Sequence, residues 1–76
     1  MALRLGECLL RNHRESKGLS QKALSQKLLD DHGVSVSDTM ISLYERGEKY
    51  MKPLVSRAVC LTLGISESEL YEFIRT

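Results

Sequence analysis

Two segments decide the fold of this chain: GLSQKAL at residues 18–24 and ISLYERG at residues 41–47. In both segments apolar residues recur three or four positions apart, which is the spacing of one face of an α-helix. Ser20 is a residue type that caps the start of a helix, and Gly47 is the type that ends one. The two segments therefore predict a pair of helices joined by a turn.

Outward from this pair, the same signals predict three further helices and no strand. The five helices are expected at about residues 3–17, 20–32, 37–46, 53–63 and 66–75. Leu9 lies on the apolar face of the first helix, Pro53 opens the fourth, and Leu70 and Phe73 form the apolar face of the fifth. We therefore expect an all-α fold, a compact five-helix domain that spans residues 1–76.

The bulk composition excludes several classes of function. A chain of 76 residues that is 42% hydrophobic is ordinary for one globular domain. It has no apolar run of about 18 residues, so no membrane partner is expected. Cys8, Cys60, His13 and His32 lack the close ligand spacing of a metal site, and no nucleophile has a base beside it. We therefore expect no enzyme activity and no cofactor, with both cysteines reduced in a cytoplasmic setting.

The net charge of +1 is distributed unevenly along the chain. Residues 1–57 hold ten of the eleven basic side chains and seven of the ten acidic ones. A basic excess in the part that contains the helix pair is typical of a nucleic-acid partner. The excess is small, and an ordinary mixed surface is the alternative interpretation.

Together with Pro53 and the run Leu63–Ser66, the two segments resemble the phage-repressor-like helix-turn-helix family, of the Cro/CI or XRE type. The resemblance extends from about Leu9 to Leu70. It implies a lambda-repressor-like domain whose third helix enters the major groove of double-stranded DNA. The implied function is a DNA-binding transcriptional regulator, a repressor that acts as a homodimer on a palindromic operator. The implied setting is the cytoplasm, with a bacterial or phage origin.

The resemblance also assigns roles to individual positions. Candidate base-reading residues lie on the outward side of the third helix, and they are Asp38, Thr39, Ser42 and Leu43. Candidate phosphate contacts lie near the starts of the second and third helices and in the loop after the third: Gln21, Lys22, Ser37, Arg46, Lys49, Tyr50 and Lys52. For each of these residues, the alternative is an ordinary solvated side chain.

Two structural roles follow from the same resemblance. Arg14 and Glu45 stand where the family joins the first helix to the end of the third by a buried ion pair; the alternative is two unrelated surface charges. Leu70, Tyr71 and Phe73 are the candidate dimer surface; the alternative is that they close the core of one molecule.

The sequence departs from the family in two ways. The spacing from Leu24 to Glu45 is longer than usual by about one helical turn, with a lengthened turn at Val34–Val36. In addition, the reading face lacks Arg, Gln and Asn, the best bidentate readers of bases. Asp38 is able to accept a hydrogen bond from a cytosine amine. The alternative is that its carboxylate interacts only with the helix dipole. We therefore expect modest direct readout, with DNA shape contributing much of the specificity.

Two other functions stay open. No Gly or Pro closes the fifth predicted helix before Thr76, which favours the DNA-binding part of a longer plasmid or mobile-element partition protein. The nearly neutral charge and the weak reading face favour instead an antitoxin-type protein-interaction module, whose main partner is another protein.

Overall fold

The computed structural model describes residues 3–75, and helices form most of that part of the chain. The helices are α1 (Leu10–Ser16), α2 (Gln21–His32), α3 (Asp38–Glu45), α4 (Pro53–Leu63) and α5 (Glu67–Leu70). Strand β1 (Leu3–Cys8) precedes them and strand β2 (Tyr71–Arg75) follows them. Met1, Ala2 and Thr76, which belong to the predicted 1–76 domain, lie outside the described residues. Within the described part, no helix is long and apolar enough to cross a bilayer.

Serine caps fix the starts of α2 and α3. The Ser20 hydroxyl oxygen accepts from the Ala23 amide at 3.0 Å, and the Ser37 hydroxyl oxygen accepts from the Met40 amide at 3.1 Å. Each cap satisfies one of the backbone N–H groups that a helix leaves free in its first turn. The turn between the two helices is packed rather than loose, since Val34 and Val36 are buried and the Ser25 hydroxyl donates to the Val36 carbonyl.

One apolar core holds the helices together. Its largest fully buried side chains come from all five helices, and they are Leu10, Leu24, Leu28, Ile41, Val59, Cys60, Leu63 and Leu70. Removing a side chain of this size from water contributes about 1.5–3 kcal/mol to stability. The core therefore sets the relative positions of the helices, including the short α3.

The all-α prediction is wrong at the start of the chain. The first helix was expected from about residue 3, but residues 3–8 form β1 and α1 begins at Leu10. β1 pairs with β2 in an antiparallel two-stranded sheet, with Leu3 opposite Arg75 and Cys8 opposite Tyr71. The register shifts between Leu5 and Cys8, so the pairing carries an irregularity there.

The prediction is also wrong at the end of the chain. The fifth helix was expected over residues 66–75, but α5 is a single turn that ends at Leu70. Tyr71, Phe73 and Ile74 are aromatic or β-branched residues, which favour the extended backbone of β2. The open-ended helix that favoured a continuation beyond the domain is therefore absent from the described residues.

Gly6 permits the close approach of the two strands. A β-carbon built at Gly6 would lie 2.7 Å from Ile74 Cδ1 and 3.0 Å from the β-carbon of Glu72. Both distances are shorter than a normal contact between carbon atoms. The pairing of β1 with β2 therefore requires a residue without a side chain at this position.

A Gly6→Ala variant is expected to lose about 1–3 kcal/mol of unfolding free energy, because the new methyl group overpacks the strand pair. Urea unfolding followed by circular dichroism measures the loss. In an Ile74→Ala background the same change is expected to cost less, because two of the three nearest atoms belong to Ile74. Equal costs in both backgrounds would argue against this contact.

Candidate nucleic-acid interface

A buried ion pair ties α3 to α1. Arg14 Nε donates to Glu45 Oε2 at 2.7 Å and Arg14 Nη2 donates to Glu45 Oε1 at 3.2 Å. The two side chains are only 9% and 5% exposed. Hydrogen bonding to Glu45 raises the pKa of the Arg14 guanidinium, and Nη1 donates to the Leu19 carbonyl at 2.8 Å. Arg14 therefore stays charged, and its bidentate contact with Glu45 fixes the C-terminal end of α3.

The Glu45 carboxylate also accepts a hydrogen bond from the first residue of α2. Gln21 Nε2 donates to Glu45 Oε1 at 3.0 Å. A side-chain amide carries two N–H groups, so one remains available for a phosphate oxygen. Glu45 is thus the point where α1, α2 and α3 are joined, and the predicted phosphate contact of Gln21 would be made by a side chain that is already held in place.

The two sides of α3 have different surroundings. Ile41 and Tyr44 are buried against the core, while Asp38 and Thr39 are exposed. Ser42 and Leu43, the other two candidate base-reading residues, are half-buried. A helix of 8 residues is about 12 Å long, which suits insertion into a major groove of similar width.

Polar groups at the start of α3 keep part of their hydrogen-bonding capacity. Asp38 Oδ1 accepts from the Thr39 amide at 2.9 Å, and the Ser37 hydroxyl oxygen accepts from the Met40 amide at 3.1 Å. The second carboxylate oxygen of Asp38 and the hydroxyl hydrogen of Ser37 are not used by these bonds. The Asp38 carboxylate is therefore able to interact favourably with the helix dipole and to accept a hydrogen bond from a base amine at the same time.

A glycine reverses the chain at the end of α3. Gly47 has a φ of 75°, its amide donates to the Tyr44 carbonyl at 3.1 Å, and the Glu48 amide donates to the Leu43 carbonyl at 2.9 Å. This is the Schellman arrangement, in which two of the last helix carbonyls are satisfied by the residues that follow. The turn directs the loop of residues 46–52, here called the basic loop, away from the axis of α3.

A Gly47→Ala variant is expected to lose about 1–2 kcal/mol of unfolding free energy, because a β-carbon disfavours the left-handed backbone. Gly47→Asn is the matched control, since asparagine tolerates this conformation and is expected to lose less. Thermal unfolding of the two variants measures the difference. A smaller loss for alanine than for asparagine would be inconsistent with the left-handed turn.

The basic side chains of the loop are exposed and weakly held. Arg46 Nε lies 2.9 Å from Glu48 Oε2, but both side chains are more than half exposed, so the pair contributes little. Lys49 and Lys52 are exposed and form no salt bridge with any other described residue. Lys22 is exposed in the first turn of α2. All four cations are therefore accessible to an anionic partner.

Tyr71 of β2 holds the basic loop in place. The Met51 amide donates to the Tyr71 hydroxyl oxygen at 3.2 Å, and the Tyr50 ring centroid lies 6.2 Å from that of Tyr71 at an angle of 58°. Burial raises the pKa of the Tyr71 hydroxyl. This role was not predicted from the sequence, because Tyr71 was expected on a helix rather than on a strand that reaches the loop.

The residues proposed as a dimer surface do not share one environment. Leu70 is fully buried and Tyr71 is 8% exposed, so both close the core of one molecule, as the alternative interpretation held. Phe73 is 49% exposed on β2. Of the three, only Phe73 presents a large accessible apolar surface.

The histidines and cysteines have structural surroundings. His13 Nε2 is hydrogen-bonded to the Glu69 carbonyl at 2.8 Å, which links α1 to α5. Cys8 and Cys60 are buried free thiols, and burial raises the pKa of Cys60 to about 11. A thiol with so high a pKa is a poor nucleophile at neutral pH. Among the residues that the structure describes, no group of His, Cys, Asp and Glu is arranged to hold a metal ion.

The fold thus places a short helix that is held from its inner side, with Asp38 and Thr39 exposed at its start, before a basic loop, which is the arrangement of a helix-turn-helix domain. The helix-turn-helix family profile matches residues 10–70, and the chain belongs to the phage-repressor-like family of the Cro/CI or XRE type. No curated protein and no solved structure gives a significant match to the chain. The matched span runs from α1 to the end of α5 and does not include β1 or β2.

Proposed function

We propose that this protein is a transcriptional repressor that binds double-stranded DNA as a homodimer on a palindromic operator, with α3 in the major groove. The attachment of Glu45 to both Arg14 and Gln21 is the observation that carries the proposal. This attachment holds α3 against α1 and α2, while Asp38 and Thr39 remain exposed to solvent. Fixed geometry matters because base contacts specify a sequence only when the helix is held in register by contacts to the backbone.

The surroundings of α3 support the backbone contacts. Lys22 and Gln21 start α2, Ser37 caps α3, and the basic loop follows it. Exposed lysines and arginines on both sides of a reading helix supply affinity that is independent of sequence and falls with salt. The exposed charge of Lys49 and Lys52 is not cancelled by another described residue, so it is available to phosphates.

Fluorescence anisotropy with duplex DNA of random sequence tests the DNA-binding role. An Arg46→Ala/Lys49→Ala variant removes two charges from the basic loop. A Lys27→Ala/Arg57→Ala variant, in which both replaced side chains are exposed elsewhere, removes the same charge. The loop variant is expected to reduce the slope of log affinity against log salt by about two, because about one counterion is released per phosphate contact. The control is expected to keep the slope of the unmodified chain.

Two results would contradict DNA binding through this surface. One is the absence of binding by the unmodified chain at low salt. The other is an equal loss in the loop variant and in the control, since that loss would reflect total charge rather than a defined interface.

The exposed apolar side chains of the strand pair support the homodimer. Leu3 and Phe73 are 63% and 49% exposed, on a sheet that has two strands and unpaired outer edges within residues 3–75. Open edges and exposed apolar side chains favour pairing with a second copy. In a dimer, two copies of α3 about 34 Å apart would reach successive major grooves.

Sedimentation equilibrium tests this surface with Phe73→Ala and, as a control, Leu54→Ala. Leu54 is 72% exposed on α4, so its truncation removes similar apolar area from another surface. We expect Phe73→Ala to weaken self-association and Leu54→Ala to leave it unchanged. A monomer at all concentrations, or a loss confined to Leu54→Ala, would contradict the proposed surface.

A protein-interaction module is the second candidate function, and α4 provides its support. Leu54 and Leu61 are seven residues apart on one side of α4, and both are more than half exposed. Such a pair suits the apolar groove of another protein. The anisotropy experiment separates the two functions, because a module of this kind would show no salt-dependent change on loss of the basic loop.

A further inference from the structure

A cavity of about 360 Å³ lies beside α3. It is bounded by the turn before α3, by one side of α3 itself, by the basic loop and by the start of α4. Cavities that bind small molecules have volumes of about 300–1,000 Å³. This one is at the lower end of that range and therefore suits a small ligand.

The apolar part of the cavity is built from the core. Val36 and Tyr44 are buried, Met40 and Val55 are half-buried, and all four side chains line the cavity. They come from three different segments that the fold holds together. A planar or compact apolar group would remove this surface from water when it binds.

The polar part of the cavity is cationic. Lys49 and Lys52 line it together with the hydroxyl-bearing Ser35, Ser37 and Tyr50. These side chains are exposed, so they lie toward solvent, while the apolar side chains lie deeper. The cavity is therefore amphipathic, and its solvent-exposed side chains offer hydrogen-bond donors to a charged group.

Among the described residues, the lining of the cavity contains cationic side chains and no anionic ones. Three acids are adjacent in sequence to lining residues. Glu48 is paired with Arg46 at 2.9 Å and Glu45 is held by Arg14 at 2.7 Å. Asp38, next to Ser37, is exposed and accepts from the Thr39 amide at 2.9 Å, and it does not line the cavity. The cavity therefore favours an anion over a neutral or cationic molecule.

We infer that this cavity binds a small organic anion, a carboxylate or a phosphate monoester on an apolar body, and that the bound anion displaces DNA. The displacement rests on the proposed function, because Ser37, Lys49, Tyr50 and Lys52 are both lining residues and candidate phosphate contacts. One pair of lysines neutralises either the ligand or the DNA backbone. An anion of this class is therefore an inducer, which releases the repressor from its operator.

The first test uses no DNA, so it is independent of the proposed function. The probe is 4-methylumbelliferyl phosphate, which joins a planar apolar body to a phosphate monoester. Titration into the full chain, followed by amide NMR, is expected to shift Val36, Met40 and Val55. Lys49→Gln/Lys52→Gln is expected to weaken binding about tenfold or more, as the loss of charge-assisted hydrogen bonds predicts. Lys27→Gln, an exposed change on α2, is expected to have no effect.

Two reference compounds separate the parts of the site. Inorganic phosphate lacks the apolar body and 4-methylumbelliferone lacks the phosphate group, so each is expected to bind about tenfold or more weakly than the probe. Val55→Phe, which fills part of the cavity, is expected to abolish probe binding with an unchanged circular dichroism spectrum. The cavity site is overturned if the probe does not bind, if inorganic phosphate binds equally well, or if Lys49→Gln/Lys52→Gln binds as tightly as the unmodified chain.

The second test adds the probe to the DNA anisotropy assay. Saturating probe is expected to weaken DNA binding about tenfold or more, whereas an equal concentration of inorganic phosphate is expected to have little effect. Simultaneous binding of probe and DNA overturns the displacement. A chain that binds the probe but never binds DNA overturns the proposed function and the inducer role, while the NMR titration still supports the cavity site.

Discussion

An Arg14→Ala variant is expected to lose about 3–5 kcal/mol of unfolding free energy, because Glu45 would remain as a buried charge without its partner. The distance from Arg14 Nε to Glu45 Oε2 is 2.7 Å, and both side chains are less than a tenth exposed. Water therefore cannot take the place of the guanidinium beside Glu45. Since a small domain has about 5–15 kcal/mol in total, the variant is expected to lose a large fraction of its stability. Urea unfolding at pH 7 measures the loss, and Glu45→Gln, which keeps an acceptor for Arg14, provides a milder variant.

The same helix supplies a matched control. Arg11 Nε lies 3.4 Å from Glu15 Oε2, but these side chains are 67% and 55% exposed. Exposed pairs four residues apart in a helix contribute about 0.3–0.5 kcal/mol, so Arg11→Ala is expected to cost no more than that. Similar losses for the two arginines would refute the special role of the buried pair. DNA affinity is expected to fall with Arg14→Ala as well, because α3 loses its attachment to α1.

A Leu28→Ala variant is the second change with a large expected effect, at about 2–5 kcal/mol. Leu28 is fully buried near the end of α2, in the segment that is longer than the family's usual spacing. Its removal leaves a cavity in the core that the packed turn at Val34 and Val36 is unable to fill completely. The loss is expected to appear in both thermal and urea unfolding.

Leu29 is the control for Leu28. It is the next residue on the same helix, yet its side chain is 48% exposed, so Leu29→Ala is expected to change stability by less than about 0.5 kcal/mol. A large loss of unfolding free energy for Leu29→Ala and none for Leu28→Ala would mean that Leu29, not Leu28, faces the core. The pair of variants thus tests whether the longer α2 belongs to the core.

The family and the helix pair could be predicted from the sequence because their signals are local. Ser20 and Ser37 cap α2 and α3 through their own first turns, and Gly47 ends α3 within its own last turn. Such signals need only a few neighbouring residues. For the same reason the inward positions of Ile41 and Tyr44 could be read from their spacing alone.

The strand pair could not be found in the same way. Its two strands lie near opposite ends of the chain, so neither can be recognised from the residues that neighbour it in sequence. Segments of five or six residues are too short for periodicity to separate a strand from a helix. Two local signs were present: Gly6 is a poor residue for a helix interior, and Tyr71, Phe73 and Ile74 are good residues for a strand.

The candidate site was only partly predictable, because several of its contacts join distant segments. The position of Gln21 predicts a residue near phosphates, but not its hydrogen bond to Glu45. The support that Tyr71 gives to Tyr50 and Met51 depends on where β2 lies, so it was missed together with the strand. The cavity is bounded by four consecutive segments between Ser35 and Val55, and no local sequence pattern predicts how they pack against one another.

The separation between the two sides of α3 has a consequence for how new specificities arise. Glu45, Ile41 and Tyr44 hold the helix to the rest of the protein, whereas Thr39 is exposed and has no part in the core. A change at an exposed position of this kind alters the chemistry offered to a base pair at little cost in stability. Under the proposed function, lineages of such a protein are free to change the DNA sequence that they bind while conserving the fold, and a designer is free to place a new reading surface on the same helix.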